Sequence, residues 1–335
     1  MKNPILPLTL FLSLLVAACG GSTAENPGAG DAPKDITIGM VTIASHPSLD
    51  AIQQGVKDRL AEAGYVNGEN ITILEGNAEG DIATLTTIIQ RYIDEDVDLI
   101  VATTTPAAQA AYNVTQEAQG PPVIYNGVSN PYIAGLAESS TQHPAWMVGS
   151  QLLDPVVDAL DLAGQLIPGM KVVGIIYNPA EANSEYLVDV ARSVADERDL
   201  TLEIAPISNS SEIQTAAESL LGREIDFYLA LSDNTLTSGF EALVQTANEN
   251  HLPIIGTSAS MPGLGAAVSY GIDPYQEGLD SGDLVVQYLE GTLDIAEAPI
   301  EIQDSVLLTI NPKAASVQAV DIPQSLLESA DSVVE

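Results

Sequence analysis

The chain's 335 residues carry 46 acidic against 10 basic side chains, a formal net charge of −36 at pH 7. So acidic a surface repels nucleic acid and gains nothing from anionic headgroups, which excludes both as partners; solubility in a salty habitat is the plain reason for it, ahead of a specific cationic ligand. One cysteine rules out an internal disulfide, and the length suits two lobes better than one core.

Met1-Lys2-Asn3 leads into an apolar stretch from Pro4 to Ala18 and then Cys19. That stretch is too short and wrongly flanked for a spanning helix and reads as a secretory signal over 1–18. Val16-Ala17-Ala18-Cys19 resembles the lipobox of bacterial lipoproteins, in which the cysteine becomes the lipidated first residue. The alternative is an unrelated cysteine behind a plain signal. Residues 19–34 are rich in Gly, Ala, Pro, Asn and Ser, a coil reaching about 20 Å that would tether the folded part to a membrane. Removal of 1–18 leaves 9 bases against 46 acids, a charge of −37.

Strands are expected over 36–43, 70–76, 98–103 and 122–126, with helices over 48–63, 82–94 and 106–118 between them. The strand runs are continuously apolar rather than alternating, the mark of strands buried on both faces in a parallel sheet. Asp81 and Gly64 stand where helix caps belong. After a helix over 153–167 the scheme repeats: strands 171–177, 200–206, 226–231 and 253–256, helices 184–198, 211–221 and 236–250. The expected fold class is α/β, two doubly wound Rossmann-like lobes with parallel sheets.

A further strand, 265–273, and a helix over 274–290 follow the finished second lobe. The strand is expected to return to the first sheet, and the tail 306–310 to cross back to the second. That gives an N-terminal lobe of 35–140 and 266–295 and a C-terminal lobe of 141–265 and 296–335. Three crossings near 137–150, 258–266 and 292–305 would make a hinge. Two independent tandem domains are the alternative.

Several stretches carry a family resemblance: His46-Pro47-Ser48-Leu49-Asp50, Ala102-Thr103-Thr104-Thr105-Pro106, Tyr177-Asn178-Pro179-Ala180-Glu181-Ala182-Asn183-Ser184, Ser232-Asp233-Asn234-Thr235 and Tyr270-Gly271-Ile272-Asp273-Pro274. In this order and spacing the chain resembles the tryptophan/tyrosine-type substrate-binding proteins of ABC importers, of the type I periplasmic binding protein fold. The resemblance covers 36–312. It implies a ligand cleft between lobes, an ABC permease as partner and an extracytoplasmic place. One departure stands at Ser129-Asn130-Pro131, where the family usually has an Asp in the place of Asn130.

The strand-end loops offer Ser45, His46, Thr103, Thr104, Thr105, Asn126 and Ser129 from one lobe. The other offers Asn178, Glu181, Asn183, Ser184, Asp233, Asn234 and Ser258, with Asp273 opening the last helix. No Lys or Arg falls in these loops, which disfavours phosphates and dicarboxylates. Thr103–Thr105 and helix N–H groups could hold one carboxylate while Asp233 or Asp273 faces an ammonium, a pattern suited to an amino acid or close derivative. Each of these residues also has a structural reading, since Thr103–Thr105, Asp233 and Asp273 stand at cap positions. Tyr125, Tyr132 and Tyr177 flank the cleft as candidates for stacking on a planar side chain.

Enzyme signatures are missing: the sequence has no nucleophile elbow, no metal-binding His pair and no phosphate loop. The expectation is a monomeric, lipid-anchored receptor without cofactor or metal. It would capture a small zwitterion, an aromatic one among the candidates. A sensor for a membrane kinase or chemoreceptor is the alternative, as is a sugar- or nucleoside-binding protein.

Overall fold

The computed structural model describes residues 36–334; the signal, Cys19 and the tether lie outside the described residues. The first half runs β1 (Ile36–Thr42), α1 (Pro47–Glu62), β2 (Ile71–Asn77), α2 (Ile82–Asp94), β3 (Leu99–Thr103), α3 (Thr105–Ala118), β4 (Val123–Val128) and β5 (Met147–Leu152). The second runs α4 (Val156–Leu166), β6 (Val172–Tyr177), α5 (Ala182–Glu197), β7 (Thr201–Pro206), α6 (Ile213–Leu221), β8 (Phe227–Ala230), α7 (Asn234–Ser238), α8 (Phe240–Glu249) and β9 (Ile254–Ser258). Then come α9 (Met261–Leu264), β10 (Val268–Ile272), α10 (Pro274–Leu289), β11 (Glu301–Gln303), β12 (Val306–Ile310), α11 (Pro312–Val317), α12 (Gln324–Ser329) and β13 (Ser332–Val333).

The apolar runs do what their continuity demands. All five residues of β3 are buried, and they alternate between two cores. Ile100 and Ala102 join Val123 and Tyr125 on one face; Leu99 and Val101 join Ile38, Met40 and Ile124 on the other. Burying each such aliphatic side chain is worth about 1.5–3 kcal/mol, and two-sided burial fixes the register. The first sheet has the order β11-β5-β4-β3-β1-β2 and is parallel throughout. The second, β13-β12-β10-β9-β8-β6-β7, is parallel except that β12 runs antiparallel to β10.

The crossings differ from expectation. β10 does not return to the first sheet: it lies beside β9, Val268 opposite Ile255. Only a short connection separates the two strands, so the cheapest partner for β10 is the neighbour it has just left. What crosses back is the helix, since α10 packs along α1 and against β4. β5, placed by the sequence reading in a crossing segment of the C-terminal lobe, extends the first sheet beside β4, and β11 pairs with β5. By sheet membership and the packing of α10 the chain therefore changes lobes at 152–156, 272–274 and 303–306; the first two lie beyond the segments expected, and the third falls at the end of the one expected near 292–305. The helix expected over 236–250 is broken at Gly239, where a Cβ would press on Ile213 and Ser210.

Contact between α1 and α10 depends on glycines. A Cβ on Gly278 would run into the Ile52 carbonyl and the Gly55 Cα, and one on Gly55 would meet the Tyr275 carbonyl oxygen at 2.5 Å. Overpacking of this kind costs about 1–3 kcal/mol. Gly278→Ala is expected to lower the urea unfolding midpoint accordingly; an unchanged midpoint would show that the two helices part without cost.

Candidate functional site

Helix termini and strand ends from both sheets meet around one cavity. α1 presents its N-terminus to it through Ser48 and Leu49. Its cap residue His46 makes no side-chain capping bond and Pro47 supplies no N–H. The first-turn N–H groups of Ser48 and Leu49 have no carbonyl a turn earlier within the helix, so this end is a ready acceptor of negative charge. Asp233 caps α7, accepting from Leu236 N at 2.6 Å, and its other oxygen accepts from Asn178 N at 2.7 Å. Glu181 binds the same end of α7 through Thr235 N at 3.0 Å, Thr235 Oγ1 at 2.7 Å and Asn234 Nδ2 at 2.5 Å. These bonds tie the end of β6 to α7 and aim Asp233 at the cavity.

The cavity is tight: water-sized spheres can be centred in about 60 Å³ of it, inside about 550 Å³ of non-atom space that includes open solvent. Leu49, Ile52, Leu152, Met261, Ile272 and Pro274 make its apolar wall, and among the described residues no Phe, Tyr or Trp lines it. His46, Ser129, Asn183 and Asn234 are among its polar groups, together with three carboxyls, Asp154, Asp233 and Glu277. Across the cleft the Ser48 hydroxyl lies 2.5 Å from that of Ser260 and 3.3 Å from that of Ser258, so the two lobes touch here.

Among the described residues no Lys or Arg lines the cavity, and burial decides its protonation. Desolvation pushes Glu277 up to about 8; the Gly127 N–H, which Glu277 accepts, offsets this, while Asp154 and Asp280 add to it. Asp233 rises to about 7, through burial first and then the neighbouring charge of Glu181. Asp154 is also raised by burial, against the pull of the Ser129 and Ser232 hydroxyls beside it. Burial lowers His46 to about 4, so it is neutral at physiological pH.

Of the residues singled out in the sequence, His46, Ser129, Asn183, Asp233, Asn234 and Ser258 line the cavity. Glu181, Asn178 and Ser184 stand behind them: Asn178 Nδ2 donates to Thr235 Oγ1 at 2.9 Å, and Ser184 helps hold the Asp233 carboxylate. Thr103, Thr104, Thr105 and Asn126 are buried but do not line the cavity. Thr104, at φ 97°, caps α3 through Ala107 N, and the Thr103 and Thr105 hydroxyls have no hydrogen-bond partner. Ser45 is exposed and donates to Asp50 in a neighbouring groove. Asp273 only caps α10, accepting from Tyr275 N at 3.0 Å, and Glu277 one turn later reaches the cavity instead. Asn130 accepts from Tyr132 N and Ile133 N within its own turn. Tyr125 and Tyr177 are buried, and neither they nor Tyr132 face the cavity.

Sequence reasoning missed Asp154 and Glu277. Glu277 shares the buried face of α10 with Gly278, Ser281 and Gly282, and a lone acid on such a face was the available signal. Asp154 lies between β5 and α4, inside the stretch 153–167 expected to be helix.

Each raised carboxyl keeps its proton in the folded state at a pH where the unfolded chain has released it. Its contribution to stability is complete below the ordinary carboxylate range near pH 4 and is lost as pH climbs through the folded values, here about 7 and about 8. The ligand-free protein is therefore expected to lose melting temperature from about pH 5 to about pH 8, with a shallower decline in Glu277→Gln. Calorimetry reads this directly; equal slopes in the two proteins would mean Glu277 is ionised throughout.

The family described as ABC transporter substrate binding protein matches residues 37–334. A tyrosine-binding protein of Clostridioides difficile (strain R20291) is 34% identical over 314 residues, 93% of this chain and 88% of its own. The ABC domain from Streptococcus pneumonia in complex with L-Trp superposes with a TM-score of 0.83 at 29% identity, over 90% of this chain and 100% of that one. The ligand-free, open form of a substrate binding protein with adhesive properties from Clostridium difficile gives 0.66, also at 29% identity, over 90% and 99%. Two doubly wound lobes joined by three crossings are the type I periplasmic binding protein architecture, and the chain belongs to the family of ABC transporter substrate-binding proteins.

Proposed function

We propose that the chain captures an aromatic α-amino acid outside the cytoplasm and delivers it to an ABC permease. The observation that carries this reading is the polarity of the cavity. Carboxyls without a basic partner gather in it, the uncapped N-terminus of α1 opens onto it, and aliphatic side chains wall it. An ammonium suits the carboxyls, a carboxylate the N–H groups of Ser48 and Leu49, and a flat ring the wall of Leu49, Ile52 and Met261. The role first considered for Thr103–Thr105 passes to the α1 terminus, because the threonines do not line the cavity. The tyrosine-binding relative and the L-Trp complex support the ligand class. Closure of the lobes on the ligand, action as a monomer and anchoring through lipidated Cys19 belong to the same reading.

Titration calorimetry should find saturable binding of L-tryptophan or L-tyrosine and none of glucose, phosphate or succinate. Asp233→Asn keeps an oxygen for Leu236 N but loses the charge, and should weaken binding by roughly thirtyfold or more, about 2–5 kcal/mol. A sugar or phosphate that binds in place of the amino acids would sink the reading. For the anchor, Cys19→Ala should leave the protein unprocessed or free of the membrane, and an intact mass showing unmodified Cys19 in the native protein would refute it.

A further inference from the structure

We propose that the ligand's ammonium enters this cleft in exchange for protons: Glu277, Asp154 and Asp233 hold protons in the empty cavity and release them to solvent as the cation arrives. The inference rests on the amino-acid reading above and adds to it which groups read the amine and what leaves when it binds.

The geometry carries the argument. Glu277 comes from α10 on the first lobe, Asp233 from the β8–α7 turn on the second, and Asp154 from the crossover between them; all three line one cavity. Glu277 and Asp233 are each 1% exposed. The Oε2 atom of Glu277 and both carboxylate oxygens of Asp154 are buried without a hydrogen bond of normal geometry. Glu277 feels the charge of Asp154, and Asp233 that of Glu181, so ionising these buried groups together calls for a cation. The other titratable groups facing them offer no relief. Glu181 stands behind Asp233 and Asp280 beside Glu277, both acidic, and Asp50 on α1 adds negative charge near His46. His46, the one basic side chain on the cavity among the described residues, stays neutral above about pH 4. The raised values of Glu277 and Asp233, about 8 and about 7, agree with this placement.

An ammonium reverses the balance, because an opposite charge at contact favours the ionised carboxyl. The O–H bond breaks, the proton passes to water and buffer, and the carboxylate accepts an N–H of the ligand. Proton and cation therefore compete for the same oxygens. Below the carboxyl values each exchanged proton weakens binding about tenfold per pH unit, and affinity levels off near pH 8.

The test is calorimetric titration of the purified protein with L-tryptophan at about pH 6.5, in buffers of differing ionisation enthalpy. The dependence of heat on buffer counts the protons. We expect release of about one proton or more per ligand, and a dissociation constant that tightens about tenfold per unit between about pH 5.5 and 7.5. Glu277→Gln and Asp154→Asn should each lower the proton count. Asp154 makes no side-chain hydrogen bond of normal geometry that its replacement could break, so the second variant stays informative should the first misfold. Should neither variant fold, the wild-type proton count decides. Saturable binding with heats independent of buffer would overturn the exchange while leaving the amino-acid reading intact. A proton count unchanged in both variants would do the same. No binding of L-tryptophan, L-tyrosine or L-phenylalanine would remove the functional reading, and the exchange with it.

Discussion

Negative charge held out of water without a basic partner is the constraint on which the cleft depends. A buried carboxyl must find N–H donors, keep its proton or meet a cation. The protein uses the first solution for Glu181, whose oxygens are filled by the start of α7. Asp233 divides itself, with one oxygen on Leu236 N and the other on Asn178 N, and stays partly unsatisfied electrostatically beside Glu181. Glu277 has a single backbone donor, Gly127, and Asp154 has none of normal geometry. Satisfaction thus falls from the framework towards the cavity, which leaves the cavity as the place where positive charge is wanted.

Helix positions follow from the same arrangement. α10 reaches the first lobe because Gly55, Gly278 and Gly282 let its backbone lie close against α1. That approach sets Glu277 beside Gly127, and Gly127, at φ 66°, turns its N–H towards the carboxylate. A bulkier pair of helices would hold Glu277 away from the end of β4. Packing far from the ligand and the electrostatics next to it are therefore one problem.

Most elements were legible because their signals are local. The runs at 98–103 and 226–231 are apolar without alternation, and both became central strands within two residues of the expected bounds. The cap at Asp81 holds Ala83 N as expected. The lobe crossings were not legible, because nothing in Val268–Ile272 tells which sheet edge it joins; the choice rests on the short path from β9 and on where α10 can dock. Nine of the fifteen candidate site residues stand off the cavity lining for a related reason. Periodicity places Thr103–Thr105 and Asp273 at strand ends and caps, and they are there, but which side of the strand end faces the other lobe is a tertiary fact. Glu277 was hidden by its place inside a helix rather than at its end.

The break at Gly239 has a consequence for how such a protein can change over generations. The five residues of α7 are held apart from α8, whose Phe240, Leu243 and Ala247 belong to the core. Within α7 only Leu236 is committed to that core, while Asn234 and Thr237 face the cavity. Thr237, whose hydroxyl bonds to the Asp233 carbonyl one turn back, can alter the shape presented to a ligand without disturbing the longer helix behind it, whereas Asn234 is held by Glu181. A five-residue turn of helix thus offers one position that faces the ligand and carries little of the framework.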